Sequence, residues 1–212
     1  MKNTPLLYAN PLSGHSYKVA LMLTLTNTDF DYHYIDLMTL RDKRSESFRK
    51  ASLFDEVPVL QIDQLTLCQS NTILLYLAEK LGQYGGETQT QKWHIHEWLS
   101  WEANRIGASL PNLRFLIRFI ENPHEGVIEY FKERTENDLT TMNEHLEAHD
   151  FIAGHIPSIA DFSCCGYLFW AHEAQLDIDQ WVYVKRWLDR ISRLPGWKSV
   201  EELLAKEVAQ TT

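Results

Sequence analysis

Two short hydroxyl-bearing segments are the residues of this chain best suited to do chemistry. Ser13 opens the run Ser13-Gly14-His15-Ser16, which follows Pro11 and precedes an apolar helical pattern. Ser70, preceded by Gln69, stands at the start of a second such pattern. The start of a helix favours anions, because backbone N–H groups and the helix dipole point toward it. A hydroxyl there can bind a thiolate or a carboxylate, although most serines before a helix only cap it.

Pro58 is the third informative residue, because it lies inside the strand-like run 57–62. A proline in a central strand removes a hydrogen-bond donor and argues against a strand. The run fits a sheet if the Val57–Pro58 bond is cis and the chain bends there beside a site. Since only about 5–6% of X–Pro bonds are cis, residue statistics alone favour a trans proline at a strand start.

The segments that must position these residues alternate between strand and helix patterns over the first 81 residues. The order is βαβα followed by ββα, which predicts a small mixed sheet with helices packed on it. The strand-like runs are 6–8, 32–35, 57–62 and 66–68, and the helix-like runs lie around 19–25, 43–51 and 70–81.

The remainder of the chain is predicted to be helical. Apolar residues recur at steps of three and four from Ile128 to Leu146, which indicates one buried helix face. Ser158 and Asp161 have the spacing of a capping box, with a carboxylate as the second partner. Pro111 is expected to kink or break the long helix around it. The glycines in 82–86 mark a domain boundary.

Composition excludes several classes of protein. The chain has 212 residues and a net charge of −9, which disfavours nucleic acid or an anionic membrane as a partner. No apolar run approaches the ~20 residues of a membrane span, and the N-terminus lacks the pattern of a secretory signal. Three cysteines without a C-x-x-C exclude a disulfide framework. We therefore expect a reduced, cytoplasmic protein.

Charge and tryptophan divide the chain unequally. Residues 1–86 carry eight basic and nine acidic side chains, whereas residues 87–212 carry twelve and twenty. All seven tryptophans lie in the second part. This change in composition supports two domains, the first of which is close to neutral.

Three motifs together resemble one known family. They are Ser13-x-x-x-x-Lys18-Val19, Glu56-Val57-Pro58-Val59-Leu60 and Gln69-Ser70-Asn71-x-Ile73-Leu74-x-Tyr76-Leu77. Their order and spacing resemble the N-terminal domain of a bacterial cytosolic glutathione S-transferase of the serine type, with theta-, zeta- and beta-like features. Gly154 with the box at 158–161 is similar to the capping box of that family's helical domain.

The resemblance implies a fold and an assembly. The fold is an α+β thioredoxin-like domain (βαβαββα) followed by an all-α helical-bundle domain. On this basis we expect a glutathione-binding domain at 1–82, a linker at 83–88 and a helical domain at 89–212 that supplies the electrophile pocket. The family also implies a homodimer.

The resemblance assigns roles in the first domain residue by residue. Ser13 would donate a hydrogen bond to the glutathione sulfur, ahead of Ser16 and His15 as lesser candidates. Pro58 would be a cis proline, with the backbone of Val57 paired to the cysteinyl unit. Ser70 with Gln69 would hold the γ-glutamyl end. Glu56 belongs to the same glutathione-binding set. The pocket candidates in the second domain are Trp101, Arg105 and Tyr167.

The implied activity is activation of the glutathione thiol for attack on small hydrophobic electrophiles or peroxides, as in detoxification. Glutathione is the expected cosubstrate, and no metal is expected. Asp55 and Glu56 place two carboxylates near those of glutathione, so we expect weak to moderate affinity.

Three alternatives stay open. The zeta-like Ser13 segment is compatible with a glutathione-dependent isomerase, although its matching cysteine position is His15. A non-catalytic protein of the same fold would act through protein contacts. His145 and His149, four residues apart, could bind a metal, but a solvated helix face explains them better.

Overall fold

A computed structural model describes residues 4–205 of the chain. Residues 1–3 and 206–212 lie outside the described part, and they include the start of the N-terminus, for which no secretory signal is expected, and the end of the expected helical domain. Within residues 4–205 no helix has the length and apolar character needed to cross a membrane.

The first 81 residues form the predicted βαβαββα order. A 3-10 turn at Arg41–Lys43 precedes the second helix, so that helix is shorter than its sequence pattern indicates. The elements are β1 (Leu6–Ala9), α1 (Gly14–Leu25), β2 (Asp31–Tyr34), α2 (Glu46–Ala51), β3 (Val59–Ile62), β4 (Leu65–Cys68) and α3 (Ser70–Leu81).

The four strands form one mixed sheet in the order β2-β1-β3-β4. β1 and β2 are parallel, with Leu7 opposite Tyr32, whereas β3 runs antiparallel to both β1 and β4. A parallel pair needs a crossover, which α1 provides. This is the thioredoxin-like arrangement implied by the sequence.

β3 begins one residue after Pro58, because the proline cannot donate to the ladder. The strand run predicted from residue 57 is therefore two residues too long at its start. Beneath this edge lies a buried cluster formed by Tyr8, Ile35, Phe48 and Val59. Phe48, which is fully buried, attaches the short α2 to the sheet.

The rest of the chain is helical. Its longest helix carries the predicted buried stripe, with Leu139 and Met142 fully buried. The helices are α4 (Gln89–Asn104), α5 (Ile106–Phe119), α6 (Glu125–Glu147), α7 (Ile159–Cys165), α8 (Val182–Ile191) and α9 (Val200–Leu203).

The long helix breaks at Arg105, so a break at Pro111, one of the two outcomes expected there, is wrong. Arg105 has φ −122° and ψ −107°, outside the helical region, and separates α4 from α5. Pro111 lies inside α5, which continues to Phe119. The Arg105 Nε lies 3.3 Å from Oδ1 of the buried Asp138 on α6, so an ion pair holds the break in place.

The predicted capping box at the start of α7 is confirmed. Asp161 is fully buried and accepts hydrogen bonds from Ser158 N (2.8 Å), Ile152 N (2.7 Å) and Trp187 Nε1 (2.8 Å). Burial raises the pKa of Asp161, and these donors oppose that rise. This one buried carboxylate therefore connects three parts of the unit: the loop at Ile152, the start of α7 and Trp187 of α8.

The contacts divide the chain into two compact units. The helical unit is 82–194, and the first unit consists, within the described residues, of 4–81 together with 195–205. The expected division at 89–212 had assigned that last segment to the helical domain. In the structure this segment packs on the first unit. The hydroxyl of buried Tyr17 donates to the carbonyl of Lys198 (2.9 Å), and α9 packs on α1.

Candidate active site

Strand register brings the three motifs of the first unit to one edge of the sheet. Tyr8 near the end of β1 lies opposite Val59 at the start of β3. Val59 in turn lies opposite Cys68, the last residue of β4. The turn into α1 follows the end of β1, and the Val57–Pro58 bond precedes the start of β3. The start of α3 follows the end of β4. All three segments therefore lie at the same edge of the sheet.

Ser13 is the N-cap of α1, as the simpler prediction has it. Its Oγ accepts a hydrogen bond from Ser16 N (3.1 Å), and the residue is 5% exposed. A hydroxyl that accepts at a cap still has its proton to donate. Among the described residues no acceptor takes that proton, so capping and donation to a sulfur are compatible.

Asn10 organises this turn, and the sequence reasoning missed it. Its Oδ1 accepts from Leu12 N (2.7 Å), its Nδ2 donates to Ile35 O (2.7 Å), and its backbone N–H donates to Ser16 Oγ (3.2 Å). The hydroxyl of Ser16 is thus buried and engaged in the turn. The Asn-Pro pair at 10–11 is the turn signal that could have identified this residue.

The Val57–Pro58 bond is cis, the isomer that the resemblance implies. The loop before it is held by the buried hydroxyl of Ser52, which accepts from Glu56 N (3.0 Å) and donates to Glu56 O (3.1 Å). Arg44 Nη1 donates to Asp55 O (2.7 Å) from the other side. Neither role could be identified from the sequence, since both depend on the path of the loop.

Gln69 and Ser70 begin α3 at the same edge. Gln69 has φ +67°, in the left-handed region, and its Nε2 donates to Glu56 Oε2 (3.3 Å). Ser70 is the first residue of the helix and is 8% exposed. Its hydroxyl makes no hydrogen bond to a residue within 4–205, so it does not act as the cap that the simpler prediction assigned.

A buried lysine side chain joins α1 to α3. Lys18 is 1% exposed, and its Nζ donates to Asn71 Oδ1 (2.8 Å), which joins α1 to the first turn of α3. Both residues belong to the motifs that the sequence singled out. The starts of α1 and α3 themselves favour an anion, because the positive ends of their dipoles lie at this edge.

Comparison with known proteins agrees with this arrangement. A family model described as glutathione S-transferase, N-terminal domain, matches residues 7–85, and one described as glutathione S-transferase, C-terminal domain, matches residues 112–195. The chain belongs to the glutathione S-transferase family. The resemblance seen in the sequence motifs is thereby confirmed.

Relatives from several organisms match over nearly their whole length. The disulfide-bond oxidoreductase YfcG of Escherichia coli is 26% identical, with 90% of this chain and 91% of that protein covered. Glutathione S-transferase F10 of Arabidopsis thaliana is also 26% identical, with 92% and 94% covered. The crystal structure of a glutathione S-transferase from Xanthobacter autotrophicus Py2 has a TM-score of 0.83 and 29% identity, covering 94% of this chain and all of that one.

The pocket candidates of the helical unit have separate contacts. Trp101 meets Trp98 edge to face, with ring centroids 5.1 Å apart, and Arg105 pairs with Asp138. Burial raises the pKa of Asp138, and Arg105 and the Ser109 hydroxyl oppose that rise. Tyr167 meets Trp170 at 6.0 Å. A role of these residues in binding an electrophile stays a prediction.

Trp170 belongs to a second polar cluster of the helical unit. The guanidinium of Arg114 lies 4.6 Å from the ring centroid of Trp170, and its Nε lies 2.5 Å from Glu173 Oε2. Arg118 pairs with the other oxygen of Glu173. Burial lowers the pKa of Arg114, so the aromatic ring and the carboxylate together hold a nearly buried cation.

His145 and His149 do not lie on a solvated helix face, which corrects that interpretation. Both are half-buried and stack face to face, with centroids 4.2 Å apart. His145 Nε2 lies 2.9 Å from Ile152 O, and His149 Nδ1 lies 2.8 Å from His145 O. They line a cavity of about 530 Å³ together with His94, His155 and Trp98. No three His, Cys, Asp or Glu side chains among residues 4–205 are arranged to hold a metal.

Proposed function

We propose that the protein is a glutathione transferase that activates the thiol of glutathione for attack on small hydrophobic electrophiles. The observation that carries this proposal is the convergence of Ser13, the cis Val57–Pro58 bond and Ser70 at one sheet edge. Membership of the family supports the same activity.

The geometry suits a bound thiolate. A free thiol has a pKa near ~8.5, so at neutral pH most of it is protonated and unreactive. The start of α1 and the Ser13 hydroxyl both favour the charged form, since the helix start presents backbone N–H groups and the hydroxyl has a proton to donate. The proton leaves to solvent, and Ser13 donates its hydroxyl proton in a hydrogen bond to the sulfur.

The thiolate then attacks an electrophilic carbon. A carbon–sulfur bond forms, and the leaving group departs with the electron pair of the broken bond. With a peroxide, two glutathione molecules are oxidised to the disulfide while the peroxide is reduced to alcohol and water. In both reactions the protein supplies binding, orientation and stabilisation of the thiolate.

The other roles follow the sequence expectations. Val57 pairs its backbone with the cysteinyl unit, and Ser70 with Gln69 holds the γ-glutamyl end, while Glu56 belongs to the same glutathione-binding set. Residues of the helical unit, with Trp101, Arg105 and Tyr167 as first candidates, receive the electrophile. The protein is a cytoplasmic homodimer that serves in detoxification, without a metal. Elution at the mass of a monomer in size-exclusion chromatography would contradict the dimer.

The decisive experiment is the substitution Ser13→Ala, assayed by conjugation of glutathione to a chloronitrobenzene. Loss of a hydrogen bond to a charged sulfur lowers kcat/KM by about 10- to 100-fold. The ultraviolet absorbance of the bound thiolate, followed against pH, gives a second readout. The wild-type protein is expected to lower the pKa of the bound thiol, and the variant to raise it again.

Ser199→Ala is the matched control, because Ser199 also caps a helix of the first unit through its side chain. Both variants lose about 1 kcal/mol of capping energy. Only Ser13→Ala is expected to lose the rate. Equal rates in Ser13→Ala and the wild-type protein would refute the role of Ser13.

A panel of substrates separates the related activities. Cumene hydroperoxide tests peroxide reduction, maleylacetone tests isomerisation, and hydroxyethyl disulfide tests the thiol–disulfide exchange suggested by the name of the Escherichia coli relative. In that exchange the glutathione thiolate forms a mixed disulfide and a thiolate leaves. If no substrate turns over with glutathione, the transferase proposal fails and a non-catalytic protein of the same fold is favoured.

A further inference from the structure

The cavity lined by His145 and His149 is formed entirely by residues of the helical unit. Its volume of about 530 Å³ lies within the range of cavities that hold a small organic molecule. Its walls come from the segment that leads into α4, from α4 itself, from the end of α6 and from the loop at 152–156. The side chains on these walls determine what the cavity can bind.

The aromatic side chains of the cavity form a continuous row. The ring centroid of His145 lies 4.8 Å from that of Trp98 and 4.2 Å from that of His149. His155 follows, with its centroid 6.5 Å from that of His149, and its side chain is 78% exposed, so it forms the outer end of the row. Rings of this kind attract flat molecules, and the face of a tryptophan also attracts cations.

The hydrogen bonds of the two inner histidines fix which ring nitrogen donates. His145 Nε2 faces the carbonyl of Ile152, and His149 Nδ1 faces the carbonyl of His145. Because a carbonyl can only accept, both of these nitrogens carry a proton. Nδ1 of His145 and Nε2 of His149 therefore have lone pairs in the neutral rings, and within residues 4–205 no group donates to either nitrogen.

The charge of the inner row agrees with this assignment. Burial lowers the pKa of His145, the bond to the Ile152 carbonyl opposes that shift, and the nearby His149 and His94 lower the pKa further. His145 is therefore mostly neutral at neutral pH, and its Nδ1 is an acceptor. The inner wall thus suits a ligand that brings N–H groups.

The two outer histidines are paired with carboxylates of their own. His94 Nδ1 lies 2.8 Å from Glu97 Oε2, and His155 Nδ1 lies 3.5 Å from Asp150 Oδ2. Arg190 also pairs with Asp150, at 3.2 Å, and does not line the cavity. Among the described residues no lysine or arginine belongs to the lining. The cavity therefore has no ammonium or guanidinium group of its own.

Glu87 contributes a carboxylate to the lining. Its backbone N–H donates to Gln91 Oε1 (2.9 Å), which ties the residue to the capping box at the start of α4. In the part of the chain that the structure describes, no lysine, arginine or histidine pairs with this carboxylate. A cation that satisfies Glu87 must therefore come from a ligand or from solvent, and the acidic excess of residues 87–212 favours cations around this unit.

The loop that completes the wall is held in place by its own backbone contacts. The N–H of Ile152 donates to Asp161 Oδ1 (2.7 Å), while its carbonyl is bound by His145. Phe151 and Gly154 exchange two backbone hydrogen bonds of 2.9 and 3.1 Å. A wall that is already fixed loses little entropy when a ligand binds, so the cavity is preformed.

A flat ring with a positive group would satisfy all of these features. The ring would contact Trp98 and the row of histidines, its N–H groups would donate to the lone pairs, and its charge would pair with Glu87. We infer that the cavity binds flat aromatic compounds that carry an ammonium group. This inference goes beyond the proposed function and does not depend on it, because no residue assigned to glutathione lines the cavity.

The test is calorimetric titration, without glutathione, of three probes that share an indole ring and an ethyl linker. Tryptamine ends in an ammonium group, tryptophol in a hydroxyl and indole-3-propionate in a carboxylate. The wild-type protein is expected to bind tryptamine about fivefold more tightly than tryptophol, and indole-3-propionate most weakly, as a cation–π contact with an exposed ion pair allows. The preference for tryptamine should shrink as salt concentration rises.

Two variants locate the binding. Glu87→Gln changes an exposed side chain and keeps its size, and it is expected to lose most of the preference for tryptamine over tryptophol. Glu129→Gln is the matched control, because it removes an exposed carboxylate of α6 that does not line the cavity, and it should keep the preference. His149→Phe keeps a flat ring but removes the acceptor, so it should weaken both probes about threefold and leave their ratio unchanged.

Three results would overturn the inference. The first is a wild-type protein that does not bind tryptamine or that prefers indole-3-propionate. The second is an unchanged preference in Glu87→Gln, and the third is wild-type affinity in His149→Phe, which would place the probes elsewhere. Because glutathione is absent from these titrations, each of these results would leave the proposed function intact.

Discussion

Single residues in this protein stabilise the fold through one atom and can take part in binding or titration through another. Ser13 caps a helix through its lone pair and has a proton left to donate. His145 combines functions in a similar way in the helical unit, because its Nε2 contacts the Ile152 carbonyl while its ring stacks on His149. Ile152, whose carbonyl His145 contacts, also donates its N–H to Asp161 in the capping box. The protonation of His145 is therefore expected to affect the stability of the helical unit.

Acid is expected to weaken the helical unit through His145. Burial lowers the pKa of His145 from its usual value of 6.5, the hydrogen bond with the Ile152 carbonyl opposes that shift, and the nearby His149 and His94 lower the pKa further. Two carboxylates also face this group of histidines, because Glu97 pairs with His94 and Asp150 pairs with His155. The unfolded chain thus takes up a proton first as the pH falls. The free energy of unfolding decreases below pH 6.5 until the folded-state pKa is passed.

His145→Gln tests this by keeping an N–H for Ile152 while removing the titration. Urea unfolding at about pH 7.5 and about pH 5.5 gives the loss of stability for each protein. The loss is expected to be smaller in the variant than in the wild-type protein. Equal losses would show that His145 does not contribute.

At the scale of elements, the break between α4 and α5 depends on close packing between the first turn of α5 and the end of α4. A Cβ on Gly107 would lie 2.2 Å from Glu102 Oε1 and 2.8 Å from the Glu102 carbonyl. Glu102 is 2% exposed and has little room to move. The glycine therefore permits α5 to start immediately after Arg105.

Gly107→Ala is expected to destabilise the protein by about 1–3 kcal/mol, because the Glu102 backbone must shift. Gly126→Ala is the matched control, since Gly126 is also the second residue of its helix and its Cβ would meet nothing closer than 3.4 Å. That change should be neutral or stabilise by up to about 0.5 kcal/mol. Similar melting temperatures for the two variants in thermal unfolding would contradict the role assigned to Gly107.

At the scale of the whole molecule, the end of the chain completes the unit formed by its beginning. Tyr17 is 1% exposed and donates to a carbonyl 181 residues away. Leu204 is fully buried, and α9 packs on α1, the helix that Ser13 caps. Residues 198–204 therefore stabilise α1, the helix that begins at the proposed thiol site.

A chain that ends at Leu194 is expected to lose about 2–5 kcal/mol of stability in the first unit, because it exposes the apolar surface covered by Val200 and Leu204. Its glutathione-dependent rate should fall with that stability. A chain that ends at Ala205 is the control, since it keeps all of α9. The assignment is wrong if the two truncated chains unfold at the same urea concentration.

Sequence patterns were sufficient for the order of elements and for choosing three segments that lie at one edge of the sheet. The Ser13 and Ser70 segments follow short strands, and strand order carries them to one edge. The break at Arg105 could not be predicted, because it depends on Asp138, 33 positions further along the chain. The Ser52 contacts were missed for a related reason, since they depend on how the loop folds back on itself.

The three cysteines also differ in how reagents can reach them. Cys164 and Cys165 are buried in α7, whereas Cys68 is partly exposed and holds the loop that carries Glu56. A maleimide should therefore label Cys68 in the folded protein and the other two thiols only when the helical unit unfolds. A group attached to the Cys68 sulfur lies next to Leu53 and Ala51, so the protein carries its own attachment point for a probe of the loop that leads to Glu56.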